Sequence, residues 1–159
     1  MRFDPVVEEF LTAAGCRVTE PGAGSVGWTR GEVEHTVRRD PAGFAFSRLE
    51  RRQQLSRDET ATSWDLAQRV VLVKEGRSWR SRQDLPDLPR DLDVRGTGVT
   101  VTEHPPFARL EVTRADGTRD VATGLVLAQA LRLARTVDQP LSAVVDSLRA
   151  VDGGPLFSP

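Results

Sequence analysis

Few residues of this 159-residue chain could do chemistry near neutral pH. His35 and His104 are its two histidines and Cys16 its one cysteine. Histidine is the type whose ordinary pKa lies in that range. His35 alternates with Val33 and Val37, the pattern of a strand face turned to a core, which favours a packed, hydrogen-bonded histidine over a general base. His104 precedes Pro105-Pro106 and reads as a loop residue. Neither stands in a metal-ligand spacing such as H-E-x-x-H. With one cysteine, a zinc site would need carboxylates from unmarked positions. Cys16 falls where a helix meets a strand, a place for a small buried hydrophobe more than for a thiolate. There is no G-x-S-x-G nucleophile elbow. Glu8/Glu9 and Glu32/Glu34 read as solvated faces. No catalytic group, cofactor or metal is expected.

Two stretches carry more specific signals. Gly22-Ala23-Gly24-Ser25-Val26-Gly27 spells G-x-G-x-x-G. A dinucleotide fingerprint needs the third glycine to open a helix. Here the β-prone Trp28-Thr29-Arg30 and then Gly31 follow, so a Gly-rich turn between strands accounts for the spacing. Arg77-Ser78-Trp79-Arg80-Ser81-Arg82 sets three arginines around a tryptophan in a stretch that reads as a loop. Arg and Trp are enriched at binding hot spots, and Arg beside an aromatic also suits single-stranded nucleic acid. The plainer alternative is a loop anchored by Trp79 with solvated arginines. Asp84, Asp87, Asp91 and Asp93 would repel phosphates, which disfavours nucleic acid. Arg77, Trp79 and Arg80 are the candidate partner contacts.

Composition narrows the classes further. The formal net charge of -1 gives no global pull toward nucleic acid or an anionic membrane. There are 21 arginines and one lysine, with no Ile, Asn or Tyr. The scarce types have A/T-rich codons, so the arginine excess reflects GC-rich coding and not RNA binding. The longest apolar runs, Val70–Val73 and Leu125–Ala128, are too short to span a bilayer. Asp4 and Glu8 interrupt the region where a signal peptide would need an apolar run. A single cysteine allows no internal disulfide, and a cytoplasmic location fits.

The elements that must position these residues suit one α+β domain over 1–159. Asp4 and Pro5 open a first helix whose apolar positions are Val6, Val7, Phe10, Leu11 and Ala14, with Gly15 at its end. Cys16–Thr19, Val26–Arg30, Glu32–Arg38 and Phe44–Leu49 read as an antiparallel meander divided by turn clusters. Gln53 to Thr62 is polar and reads as a loop. Ser63 is placed to cap a middle helix running to about Val73, although Arg69–Val73 also fits a strand. Gly76 to Asp93 reads as a long crossing loop. Strands at Val99–Glu103, Phe107–Arg114 and Thr118–Val121 follow, the last two joined by the tight turn Asp116-Gly117. Gly124 to Arg135 is apolar almost all round and is expected to be the buried central helix. Pro140 separates it from a last helix with Leu141, Val144, Val145 and Leu148 on one face. Leu156 and Phe157 form a tail expected to dock.

Read end to end, this order resembles an immunity-protein family: the antitoxins that protect bacteria from necrotizing-toxin (TNT) type toxins, whose activity is NAD glycohydrolysis. The residues that carry it are Ala13-Ala14-Gly15 closing the first helix, Trp28-Thr29 leading into the meander, Ser63-Trp64-Asp65, Arg80-Ser81-Arg82 with Leu85-Pro86, and the ending Asp152-Gly153-Gly154-Pro155-Leu156-Phe157. Arg69–Lys74 departs from the pattern in lacking aromatics. The resemblance implies a non-enzymatic inhibitor that binds its cognate toxin one to one and covers the NAD pocket. A non-enzymatic adaptor or secretion chaperone, or a small enzyme using His35 or the Gly22–Gly27 turn, are the alternatives from residue chemistry.

Overall fold

The computed structural model describes residues 1–20, 22–50, 53–95 and 98–158, and for 53–58 the backbone only. Helix α1 (Pro5–Ala13) starts where expected, the Asp4 carboxylate accepting from the Val6 N–H at 2.9 Å. Gly15 follows with a positive φ of 69°, the left-handed turn that ends many helices. Five strands then run as a meander: β1 (Arg17–Thr19), β2 (Ser25–Arg30), β3 (Val33–Asp40), β4 (Gly43–Glu50) and β5 (Gln53–Ala61). Helix α2 (Trp64–Arg82) crosses over to β6 (Val99–His104), β7 (Phe107–Thr113) and β8 (Arg119–Leu125). Helices α3 (Leu127–Ala134), α4 (Leu141–Arg149) and the short α5 (Gly154–Phe157) complete the described chain.

The eight described strands form one antiparallel sheet, ordered β1-β2-β3-β4-β5-β8-β7-β6. The register places Trp28 against His35, Val37 against Phe46 and Leu110 against Ala122. These residues are all buried and put one sheet face under the helices. The other face carries polar positions such as Thr36, Arg38, Thr60 and Thr123, the last two hydrogen-bonded at 2.9 Å. An α+β fold with a helix at the start, one in the middle and helices at the end is therefore what the chain adopts.

Three local expectations are overturned. Gln53–Thr62 is no loop: β5 is central, paired with β4 on one side and β8 on the other. Of its described polar side chains, Thr60 lies on the open face, and Glu59 on the other is paired with Lys74, the Glu59 and Lys74 side chains each 7% exposed. The stretch around Arg77 is no loop either, because α2 continues through Gly76 to Arg82. Gly76 is there for close approach: a Cβ would meet Leu148 Cδ2 of α4 at 2.6 Å. The central helix is α2, not Gly124–Arg135. Gly124 and Leu125 belong to β8, α3 has only 8 residues, and Leu127 and Leu131 are half-buried. Ser63 does cap α2, its hydroxyl accepting from the Leu66 N–H at 3.3 Å. Arg69–Val73 is helix, burying Val70, Val71, Leu72 and Val73 between the sheet and the other helices. Burial of each such side chain is worth roughly 1.5–3 kcal/mol. The C-terminal tail docks as expected, Phe157 fully buried.

Candidate functional site

The residues with chemical potential mostly lie in the interior. Gly22–Gly24 form the turn between β1 and β2, and Gly27 sits inside β2 and opens no helix. A Cβ on Gly27 would meet Thr19 Oγ1 at 2.8 Å and the His35 carbonyl oxygen at 2.9 Å, so strand packing accounts for that glycine. Cys16 is buried, and burial first, then the Glu75 carboxylate, push its thiol up to about 11. A thiol held neutral in this way is a poor nucleophile at pH 7. His104 is exposed at the end of β6. Among the described residues, no three of His, Cys, Asp and Glu gather where a metal could sit.

His35 belongs to a buried polar cluster under α2. Its ring stacks on Trp28 with centroids 4.9 Å apart and planes 8° from parallel. Glu75 of α2 accepts from Trp28 Nε1 and from Arg30 Nη1, each at 3.0 Å, and lies 4.0 Å from His35 Nε2. Arg30 also donates to Ser78 Oγ at 3.0 Å. The cluster ties β2 and β3 to the C-terminal half of α2. It satisfies its own donors and so acts first as structure.

That half of α2 carries the three candidate contacts, in three different surroundings. Arg77 is exposed, with 68% of its side chain accessible and, among the described residues, only a loose ion pair to Asp87 at 3.8 Å. Trp79 is half-buried against Phe10, ring centroids 6.1 Å apart. Arg80 is 1% exposed. Its guanidinium donates to the carbonyl oxygens of Pro86 (2.9 Å), Leu148 (2.9 Å), Ala150 (2.5 Å) and Val151 (2.7 Å). Burial lowers its pKa from the usual arginine value, with Asp87 and Asp152 opposing. Arg80 thus joins the end of α2, the following loop and the end of α4.

Two clefts flank Arg77. One, about 220 Å³, opens between α2, the segment 83–93 and the first turn of α3, and is lined by Lys74, Arg77, Asp87, Arg90 and Arg132, with Val126 at its rim. The other, shallower, lies beside Arg30, Ser78, Ser81 and Arg82. Arg132 is 6% exposed and donates to the Leu88 and Pro89 carbonyls at 2.5 and 3.1 Å. Burial lowers its pKa, Asp87 opposes, and Arg77, Arg90 and Arg80 lower it further. Three arginines and one aspartate thus act together on the guanidinium at the pocket floor. Arg30, Arg90 and Arg132 were not among the candidates chosen from sequence. Arg132 in particular falls in the stretch that reads as apolar almost all round, and nothing in its spacing marks a cleft.

A family model described as Immunity protein 61 matches residues 10–156 of this chain. A comparison with curated proteins finds no match. Among solved structures, Rv3902c from M. tuberculosis is similar, with a TM-score of 0.72 and 18% identity, covering 98% of this chain and 94% of that one. At that identity the likeness is one of fold.

Proposed function

We propose that this chain, which belongs to the Immunity protein 61 family, neutralises a cognate NAD-glycohydrolase toxin by binding over its NAD site as a one-to-one complex in the cytoplasm. The family match across residues 10–156 is the observation that carries the immunity role. The resemblance to antitoxins of the TNT type supplies the toxin class. No helix among the described residues is long and apolar enough to cross a membrane. The buried state of Cys16 and His35 supports an inhibitor over an enzyme.

For the contact face, the C-terminal half of α2 is the proposal. Arg77 is its direct contact. Trp79, half-buried, adds what it leaves exposed. Arg80, sealed at 1% exposure, holds the carbonyls beneath that face in place. Neutralising a lethal enzyme calls for nanomolar binding, about -12 kcal/mol, over an interface on the order of 1,200–2,000 Å².

The test is NAD consumption by the toxin domain encoded beside this gene, titrated with the purified protein. Activity should vanish near one equivalent. Trp79→Ala should weaken binding by about 2 kcal/mol if Trp79 is a hot spot. Toxin activity that persists at excess protein would refute the NADase pairing and favour the adaptor reading.

A further inference from the structure

We infer that the cleft between α2, the segment 83–93 and the first turn of α3 receives an acidic segment of the toxin, a carboxylate entering between Arg77 and Arg90. This rests on the immunity reading above and adds the chemistry of the partner.

The chain is almost neutral overall, with a formal charge of -1. Its charge is nevertheless uneven. Among the described residues the cleft is lined by Lys74, Arg77, Arg90 and Arg132 against the single carboxylate of Asp87. Lys74 is already matched by Glu59. The other cations are not neutralised in the same way. Arg77 meets Asp87 only at 3.8 Å, with both side chains at least half exposed. Arg90 is exposed and makes no ion pair among the described residues. Arg132 donates to backbone carbonyls and has no carboxylate within ion-pair distance among the described residues. Backbone carbonyls orient a guanidinium without cancelling its charge. The field at the bottom of the cleft thus remains positive, and a carboxylate brought there would be drawn by three arginines at once. Arginine's planar fork suits bidentate carboxylate binding.

The neighbouring surface selects the source of that carboxylate. Asp84, Asp87 and Asp91 are all exposed along the same segment. A nucleic-acid backbone laid across the cleft would carry its phosphates past these carboxylates. A protein loop can present one or two acidic side chains to Arg77 and Arg90 and leave the rim untouched. Val126, an apolar residue 47% exposed, stands at the rim where such a loop would pack.

The experiment measures binding of the purified full chain to the toxin domain encoded beside it, at several salt concentrations. Arg77→Glu and Arg90→Glu are compared with Arg38→Glu, whose residue is exposed on the far face of the sheet. Each of the first two should weaken binding at least tenfold, chiefly through slower association at low salt. Arg38→Glu should leave it unchanged. Arg90 makes no ion pair among the described residues, so R90E should melt with the wild type, and that unchanged Tm separates its effect on binding from one on folding. Equal affinity across all three variants, with wild-type inhibition intact, would overturn the acidic-segment proposal while leaving the immunity role standing. Displacement of the toxin by a single-stranded oligonucleotide would overturn it in favour of a nucleic-acid site. A wild-type protein that does not bind the toxin would remove both readings together.

Discussion

Arg80→Ala should unfold the protein more readily without directly touching the partner face. The wild-type guanidinium reaches four carbonyl oxygens at 2.5–2.9 Å. On truncation, the Pro86 and Val151 carbonyls can rehydrate, since both residues are exposed. The Ala150 carbonyl keeps the Gly153 N–H as a donor at 3.1 Å, so the acceptor stranded is that of Leu148, a fully buried residue. A buried acceptor left without a donor costs roughly 1–3 kcal/mol. That one acceptor predicts a loss of roughly 1–3 kcal/mol. For a domain of this size, 1 kcal/mol moves Tm by about 2–4 °C, so a fall of roughly 2–12 °C is expected in calorimetry. Arg77→Ala, removing an exposed side chain with one loose ion pair, should change stability by about 0.5 kcal/mol at most. Arg80→Lys should rescue only in part, because one ammonium cannot hold four carbonyls spread around a planar fork. An Arg80→Ala loss below about 1 kcal/mol would refute this account. So would toxin affinity that falls while Tm stays put, since Arg80 would then be reaching the partner itself.

Three further outcomes follow from the fold. Gly43→Ala should cost roughly 2–4 kcal/mol in urea unfolding: φ is 138°, and a Cβ would collide with the Ala61 carbonyl oxygen and approach Thr62 Cα to 2.8 Å, both backbone atoms. Glu75→Ala should cost roughly 2–4 kcal/mol by stranding the Trp28 N–H and part of the Arg30 charge, and Glu75→Gln clearly less, because an acceptor for Trp28 remains. Cys16 titrates higher in the folded state, at about 11, than its ordinary value of 9.0. The stability it contributes is whole below pH 9 and is lost as pH rises toward 11, because the unfolded thiol ionises first. Unfolding free energies between pH 8 and 10.5 should decline less steeply in Cys16→Ala, and an identical slope would remove the thiol from this account.

The sequence made much of the frame legible where local chemistry and burial agree. Asp4-Pro5, Gly15 and Ser63 mark helix boundaries by capping, and those boundaries stand. The alternation of Val33, His35 and Val37 placed β3 and buried His35. Legibility failed where a charged side chain is buried against a partner far away in the chain. Helix α2 encloses Gln68, Arg69, Glu75 and Arg80, so its apolar stripe is interrupted and its second half looked like loop. Apart from Asp65 beside Arg69 and Pro86 beside Arg80, the partners that make this tolerable are 45 to 71 residues distant and leave no local trace. Gly76 deepened the error, since a glycine that admits Leu148 looks the same in sequence as one that breaks a helix. Arg77, Trp79 and Arg80 were grouped by proximity in the chain, yet a helix turns successive residues to different sides. One is at the surface, one leans on α1, and one is enclosed. The Arg90–Arg132 cleft joins residues from three segments and could not be seen from any one alone.

The segment from Gln83 to Asp93 has no described helix or strand, yet it is held at several points. Arg80 clasps the Pro86 carbonyl, and Arg132 those of Leu88 and Pro89. Leu88 and Leu92 are inserted into the core. A free segment of this kind would have to be ordered at the moment of association, at about 1–2 kcal/mol per residue in backbone entropy. Here that ordering is completed when the protein folds. One wall of the cleft is preorganised, so a partner meets a finished shape, and more of each contact formed with it appears as affinity.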